Sequence, residues 1–318
     1  MSGALATPMS FFMSETGISE PRDLFAGARD WLRPLIPKRF RSDIPLVPVV
    51  RLAGVIGFST PLRPGVTIAG MARPLERAFG MRNARAVALI INSPGGSPVQ
   101  SHLIYRRIRQ LAEEKEKPVI AFVEDVGASG GYMVACAADE IICDVSSIVG
   151  SIGVVGGSFG FPRLMERLGI ERRLYTAGEH KAMLDPFLPE NPDDVERLKA
   201  LQNEIHQGFI DLVKQSRGAR LKGPEATLFS GEYWTGPKAI ELGLADAIGE
   251  LRSTLRKRFG DKVMTPLIAA ERSLFGRVRP GIAPHNVMPH DFMSHGAELA
   301  GGIISALEAR ALWARYGL

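Results

Sequence analysis

Four short runs rich in β-branched and apolar residues recur along the chain: LVPVVRLAGVIG (46–57), AVALIIN (86–92), PVIAFVE (118–124) and EIICD (140–144). Strands that read as nearly continuous apolar runs, without strict polar alternation, belong to sheets covered on both faces. The stretches between them have helical character, so the chain is restricted to an α/β domain with a largely parallel, buried sheet. SPVQSHLIYRRIRQLAEEKEK predicts one such helix, with Ser97 as N-cap, Pro98 at the first helical position, and Val99, Leu103, Ile104, Ile108 and Leu111 on one apolar face. NPDDVERLKALQNEIHQGFIDLVKQSR (191–217) opens acidic, closes basic and spaces Leu198, Leu201, Ile205, Phe209 and Leu212 helically; it reads as scaffold. FSGEYWTGPKAIELGLADAIGE reads as a turn, a proline-started short helix and a closing strand or loop.

The 318 residues are 45% hydrophobic, enough to bury a sizeable core. Lys plus Arg number 39 against 34 Asp plus Glu, a net charge of +5 spread without a long basic run, which argues against nucleic acid. Cys136 and Cys143 lack the paired spacing of a zinc site and suit reduced core thiols in a reducing compartment. His285, His290 and His295 recur at five-residue steps in a Pro/Gly/Met-rich stretch, a spacing that fits no common helical ligand pair. No metal, nucleotide or other cofactor is implied.

MSGALATPMSFFMSETG has no basic n-region and no long apolar core, so export through a signal peptide is not expected. The most hydrophobic window, residues 44–62, contains Arg51 and three prolines and makes a poor transmembrane helix. The expected location is therefore cytoplasmic, with peripheral contact to the cytoplasmic membrane face as an option. That option comes from an N-terminal arm, residues 1–41, which mixes Phe25, Trp31, Leu32, Leu35 and Ile36 with Arg and Lys and is broken by Pro34 and Pro37. Such an arm suits a membrane surface, a neighbouring subunit or its own domain. A central domain follows over 42–258, then a tail over 259–318 ending in an amphipathic helix with Leu299, Ile303 and Leu307 on one side.

Three stretches carry chemistry. In VEDVGASGGYMVACAADEII (123–142), Ser129 lies between an apolar strand and a small-residue helix, a strand-turn-helix context that can expose a nucleophile. INSPGG (91–96) ends another strand, and its glycines can aim backbone N–H groups at a ligand. Both glycine stretches also suit ordinary tight turns. No histidine has a carboxylate partner that the sequence points to, which leaves lysine as a base. Lys181, in LYTAGEHKAMLDPF (174–187), follows an expected strand end and a glycine, among apolar residues that would desolvate its amine.

INSPGG, ASGGYMVACAADEI, SIVGSIGV and AGEHKAMLDPF, in this order and spacing, closely resemble the signal peptide peptidase A family of serine peptidases, within the Clp protease and crotonase superfamily. The resemblance runs from about residue 46 to 250. It implies a spiral of repeated ββα units and a Ser-Lys dyad: Ser129 the nucleophile, Lys181 the general base, Ser151 a hydroxyl that orients the lysine amine, and Gly96 and Gly130 the oxyanion-hole donors. It implies an endopeptidase acting on peptides or unfolded proteins through an acyl-enzyme. It further implies a homo-oligomeric ring or dome whose active sites are shared between subunits. Many small members carry a transmembrane anchor where this sequence has its arm. Two alternatives stay open: an acyl-CoA hydratase or thioesterase of the same superfamily, which would need a carboxylate acid/base and has no use for GEHK, and a catalytically inactive scaffold subunit.

Overall fold

The computed structural model describes residues 44–57 and 65–269 together with residues 310, 311, 313, 314 and 316. The N-terminal arm, His285, His290 and His295, and Leu299, Ile303 and Leu307 lie outside the described residues. Contacts group the described residues into one compact unit beginning at Ile44.

The expected strands are present as β1 (Val49–Ala53), β2 (Val87–Ser93), β3 (Val119–Ala128) and β4 (Glu140–Cys143), followed by three short ones, β5 (Ile148–Gly150), β6 (Tyr233–Thr235) and β7 (Ala247–Ile248). They form a single sheet of order β1-β2-β3-β4-β7, with β5 pairing both β3 and β6. Every pairing is parallel except β5 with β6. The helices are α1 (Ile68–Gly80), α2 (Pro98–Glu114), α3 (Gly130–Ala135), α4 (Pro162–Leu168), α5 (Pro192–Arg217), α6 (Glu225–Leu228), α7 (Gly236–Glu241) and α8 (Leu251–Phe259). The mixed α/β fold with a parallel sheet is therefore the one the alternating runs imply.

Successive strand residues feed opposite cores. Val50, Leu52, Val87, Leu89, Ile91, Val119, Ala121 and Val123 pack with α1, α2, α3 and the C-terminal half of α5. Val47, Val49, Ala86, Ala88, Ile120, Phe122 and Ile142 pack beneath Leu255 of α8. With both faces covered, the strands have no polar side to display, which is why they read as unbroken apolar runs.

Ser97 caps α2, accepting from the Gln100 N–H, with proline in the first turn. The apolar face differs from the expected one: Ile104, Ile108 and Leu111 are buried, whereas Val99 is 66% exposed and Leu103 is also exposed. The core instead takes Ser101 and Ala112, because α2 approaches α3 through small residues. On α5, only Phe209, Leu212, Val213 and Arg217 are buried, leaving Leu201 and Ile205 of the expected face in solvent. The unit also continues past the expected boundary at 258. Met264 and Leu267 bridge to Leu46 and Val49, and the Ile268 N–H donates to the Val49 carbonyl, so this segment covers the open edge of β1.

A buried ion pair ties α5 to the loop before β7. The Arg217 guanidinium donates to both Asp246 carboxylate oxygens at 2.8 Å and to the Gly243 carbonyl, with its side chain 1% exposed. Burial by itself would raise the Asp246 carboxyl, but the hydrogen bonds and charge of Arg217, with the Ile141 N–H, outweigh it and hold the carboxyl below the usual range. A depressed carboxylate pKa contributes stability above its unfolded value that is lost as pH falls through the folded one. Asp246→Asn should cost about 3 kcal/mol at neutral pH by leaving Arg217 buried without its countercharge. In urea melts, the gap between wild type and variant should be full above the ordinary aspartate value of 3.8 and close as the pH is lowered below it.

Candidate active site

Strand β3 pairs first with β4, through Ile120 to Val123, and then with β5, through Val126 to Ala128. Its last residue, Ala128, is opposite Gly150, and the Ser129 N–H donates to the Gly150 carbonyl at 2.8 Å. The residues that follow these paired ends, Ser129 and Ser151, are therefore neighbours at one end of the sheet. Both hold backbone conformations that L-residues avoid: φ is 52° at Ser129 and 53° at Ser151. Such strain persists only where the surroundings over-determine it, and it concentrates at functional sites. Ser129 is half-buried and spends no side-chain hydrogen bond on capping α3. Ser151 is buried, with its N–H donating to the Glu232 carbonyl at 2.6 Å.

The INSPGG loop comes to the same place through an irregularity between β2 and β3. Ile91 is opposite Val123, but Ser93 is opposite Gly127. The extra length is held by Asn92, which donates to Asp125 at 2.6 Å and accepts from the Val126 N–H. Gly95 lies directly on the serine: a β-carbon added there would sit 2.8 Å from Ser129 Cβ and 2.9 Å from the Gly130 nitrogen. Gly96 runs beside Ile56, whose carbonyl accepts from the Ser97 N–H. The N–H groups of Gly96 and Gly130 donate to no described residue. Unpaired backbone donors beside a strained hydroxyl can hold a developing oxyanion.

Lys181 is placed differently. The strand expected before it does not form: residues 170–177 are irregular and exposed, with no neighbouring strand to pair with among the described residues. Lys181 sits in a turn after Gly178, exposed rather than desolvated, and its side chain makes no hydrogen bond to Ser129, Ser151 or any other described residue. The structure thus brings together Ser129, Ser151, Gly96 and Gly130 and leaves Lys181 outside the group. The neighbouring His180 is exposed as well.

Three contributors have no sequence signal of their own. Gly95 is indistinguishable in the sequence from a turn glycine. Ser101 reads as a helix surface residue, yet it is buried against Gly130, so that any side chain at Gly130 would collide with it. Tyr316, near the chain's end, donates a hydrogen bond to Ser151 Oγ at 3.3 Å. Neither cysteine is poised as a thiolate: burial is the main cause pushing the Cys136 thiol up to about 12 and the Cys143 thiol up to about 11.

The sequence pattern of peptidase family S49 matches residues 112–261. A protease-named protein of Synechocystis sp. is 30% identical over 202 residues, covering 62% of this chain and 72% of that protein. The chain belongs to peptidase family S49. The chain is also 56% identical over 290 residues to a protein of Brucella abortus named Na(+)/H(+) antiporter NhaA, covering 90% of this chain but 39% of that one. The S49 chain thus spans about two fifths of that relative's length, and the antiporter name is said of the longer protein. Among solved structures, a membrane-bound stomatin-specific protease in complex with a substrate peptide is 16% identical with a TM-score of 0.44, covering 72% of this chain and 93% of that one. Among the described residues, no helix is long and apolar enough to cross a membrane.

Glycine substitutions separate the packing roles. Gly54 and Gly96 both have positive φ, but an added β-carbon meets nothing within 4 Å at Gly54 and collides with the Ile56 carbonyl at Gly96. Gly96→Ala should therefore lower the melting temperature distinctly more than Gly54→Ala. Gly95→Ala should displace Ser129 and suppress its labelling by a fluorophosphonate probe at least about ten-fold.

Proposed function

We propose that the chain is a serine endopeptidase, signal peptide peptidase-like, that hydrolyses peptides or unfolded proteins through Ser129 and Lys181, with Lys181 supplied by a neighbouring copy. The observation that carries this reading is Ser129, held at positive φ beside a glycine loop, with the Gly96 and Gly130 N–H groups donating to no described residue, in a chain of a peptidase family. The neutral Lys181 amine takes the Ser129 proton as Oγ attacks the peptide carbonyl, and the Gly96 and Gly130 N–H groups hold the tetrahedral oxyanion. The lysine proton then passes to the leaving amine as the C–N bond breaks. Lys181 next takes a proton from water, which attacks the ester, and Ser129 leaves with that proton restored. Ser151 accepts from the lysine amine and keeps it aimed.

Support for a shared site comes from how differently the two halves of the dyad are held. Ser129 is built on the sheet, whereas Lys181 lies on a segment with Phe159 80% and Tyr175 88% exposed. Beside these, Leu164, Leu168, Ile170 and Leu174, and Leu201 and Ile205 on α5, are exposed too. A second copy packed head to tail would cover this apolar surface, and closing the rotation gives a ring. Residues 22–41, basic and aromatic, support a peripheral contact of such an assembly with anionic lipid.

Ser129→Ala and Lys181→Ala should each lower cleavage of unfolded casein by at least about 10³-fold without changing the melt. Hydrolysis retained in Ser129→Ala overturns the reading, and a hydratase or an inactive scaffold would not take up a fluorophosphonate at Ser129 in the wild type. Co-expressing the two variants in mixed assemblies should restore about a quarter of the activity, since half the serine donors and half the lysine donors are intact on a heterologous ring; background activity from verified mixtures would assign both residues to one chain. Membrane-bound protein should be released by a high-salt wash; retention in salt would reject the electrostatic contact.

A further inference from the structure

We propose that Tyr316 is a positioning residue of this site, its hydroxyl fixing the Ser151 side chain that orients the lysine amine; the proposal rests on the roles assigned above to Ser129, Lys181 and Ser151. Tyr316 is 7% exposed. Its Oη donates to Ser151 Oγ at 3.3 Å in a buried contact. Its ring meets Tyr233 of β6 edge-on, with centroids 5.0 Å apart. It forms a small core of its own with Val126 and Ala128 of β3, against which Ile148 and Trp313 pack. Val126 and Ala128 belong to the strand that ends just before Ser129, and Ile148 belongs to the strand that ends just before Ser151. The ring is therefore wedged against the two parallel strands that deliver the two serines.

The backbone of Ser151 is already held on both sides. Its N–H donates to the Glu232 carbonyl at 2.6 Å, and its carbonyl accepts from the Gly153 N–H at 3.0 Å. What remains free is the rotation of its side chain, which has three staggered positions. Among the described residues, the one hydrogen bond made by Ser151 Oγ is that from Tyr316. A serine hydroxyl has two acceptor sites and one proton. The tyrosine occupies one acceptor site and selects a rotamer, leaving the second acceptor site for a lysine N–H. Lys181 arrives on an exposed segment with its side chain making no hydrogen bond among the described residues, so a receiving hydroxyl fixed in advance spares the assembly one ordering step.

The test uses the full chain as wild type, Tyr316→Phe, Ser151→Ala and the double variant, read by steady-state cleavage of unfolded casein and by the rate of fluorophosphonate labelling. Tyr316→Phe keeps the ring and its packing, and an unchanged melting temperature checks this. The expected result is a three- to ten-fold loss of kcat, the size of one neutral hydrogen bond, with KM unchanged and no further loss when the change is made in Ser151→Ala. Unchanged kcat in Tyr316→Phe, or losses that multiply in the double variant, would overturn the proposal while leaving the dyad standing. A rise in kcat would overturn it too, because the C-terminal turn would then be a cover rather than a support. A silent Ser151→Ala would also overturn it, as Tyr316 would have nothing to act through. Hydrolysis retained in Ser129→Ala would instead remove the dyad reading, whatever Tyr316 does.

Discussion

The site depends on one edge of one strand having two partners. The first half of β3 is committed to β4 and the second half to β5, so the strand ends with Ala128 paired to Gly150 and the Ser129 N–H bonded to the Gly150 carbonyl. Without the pairing to β5 nothing would place the turn after β3 beside the turn after β5. With it, two serines distant in the chain become neighbours, and both are driven into left-handed backbone conformations. That strain, of order 1–3 kcal/mol per residue, is sustained by an almost fully buried sheet on either side.

Close packing of backbone on backbone then builds the rest. A β-carbon at Gly131 would collide with the Ser93 carbonyl, and one at Gly130 with Ser101, so α3 can reach the INSPGG loop only because these positions carry no side chain. Behind α3, Tyr132 is fully buried and donates to the Leu244 carbonyl at 2.8 Å. Leu244 adjoins the loop that Arg217 and Asp246 clamp to α5. Ser129 is thus fixed from below by interior hydrogen bonds and from above by glycines. The lysine segment, by contrast, leaves its large apolar side chains in water. In the proposed assembly, catalysis waits on the surface that covers them, so an isolated subunit would hold a formed serine half-site without exposing a competent protease.

Much of the fold is legible in short stretches of sequence. The β-branched runs, Ser97 before Pro98, Asn191 before Pro192 and the small residues after Ser129 act through their immediate neighbours, so local pattern is enough to place β1 to β4, α2, α3 and α5 and to single out Ser129 and INSPGG. Ser151 rests on resemblance to a family alone, and Lys181, singled out by apolar neighbours that the structure leaves in an exposed turn, takes its role from that resemblance too.

What the tertiary structure alone decided is which surfaces are covered and which distant groups meet. Val99 and Leu201 keep helical spacing yet face solvent, because periodicity defines a face without saying what will lie against it. The strand expected before Lys181 is absent because strand structure needs a partner, and the sheet provides none there. Tyr316 meets Ser151 across 165 positions, a separation at which no local propensity operates. The sequence by itself determined β1 to β4, α2, α3 and α5, the turn that bears Ser129 and the family resemblance. Packing determined that the serine is strained and enclosed, that the lysine is not, and that the end of the chain returns to the site, because burial is a property of the whole assembled chain and not of any segment in it.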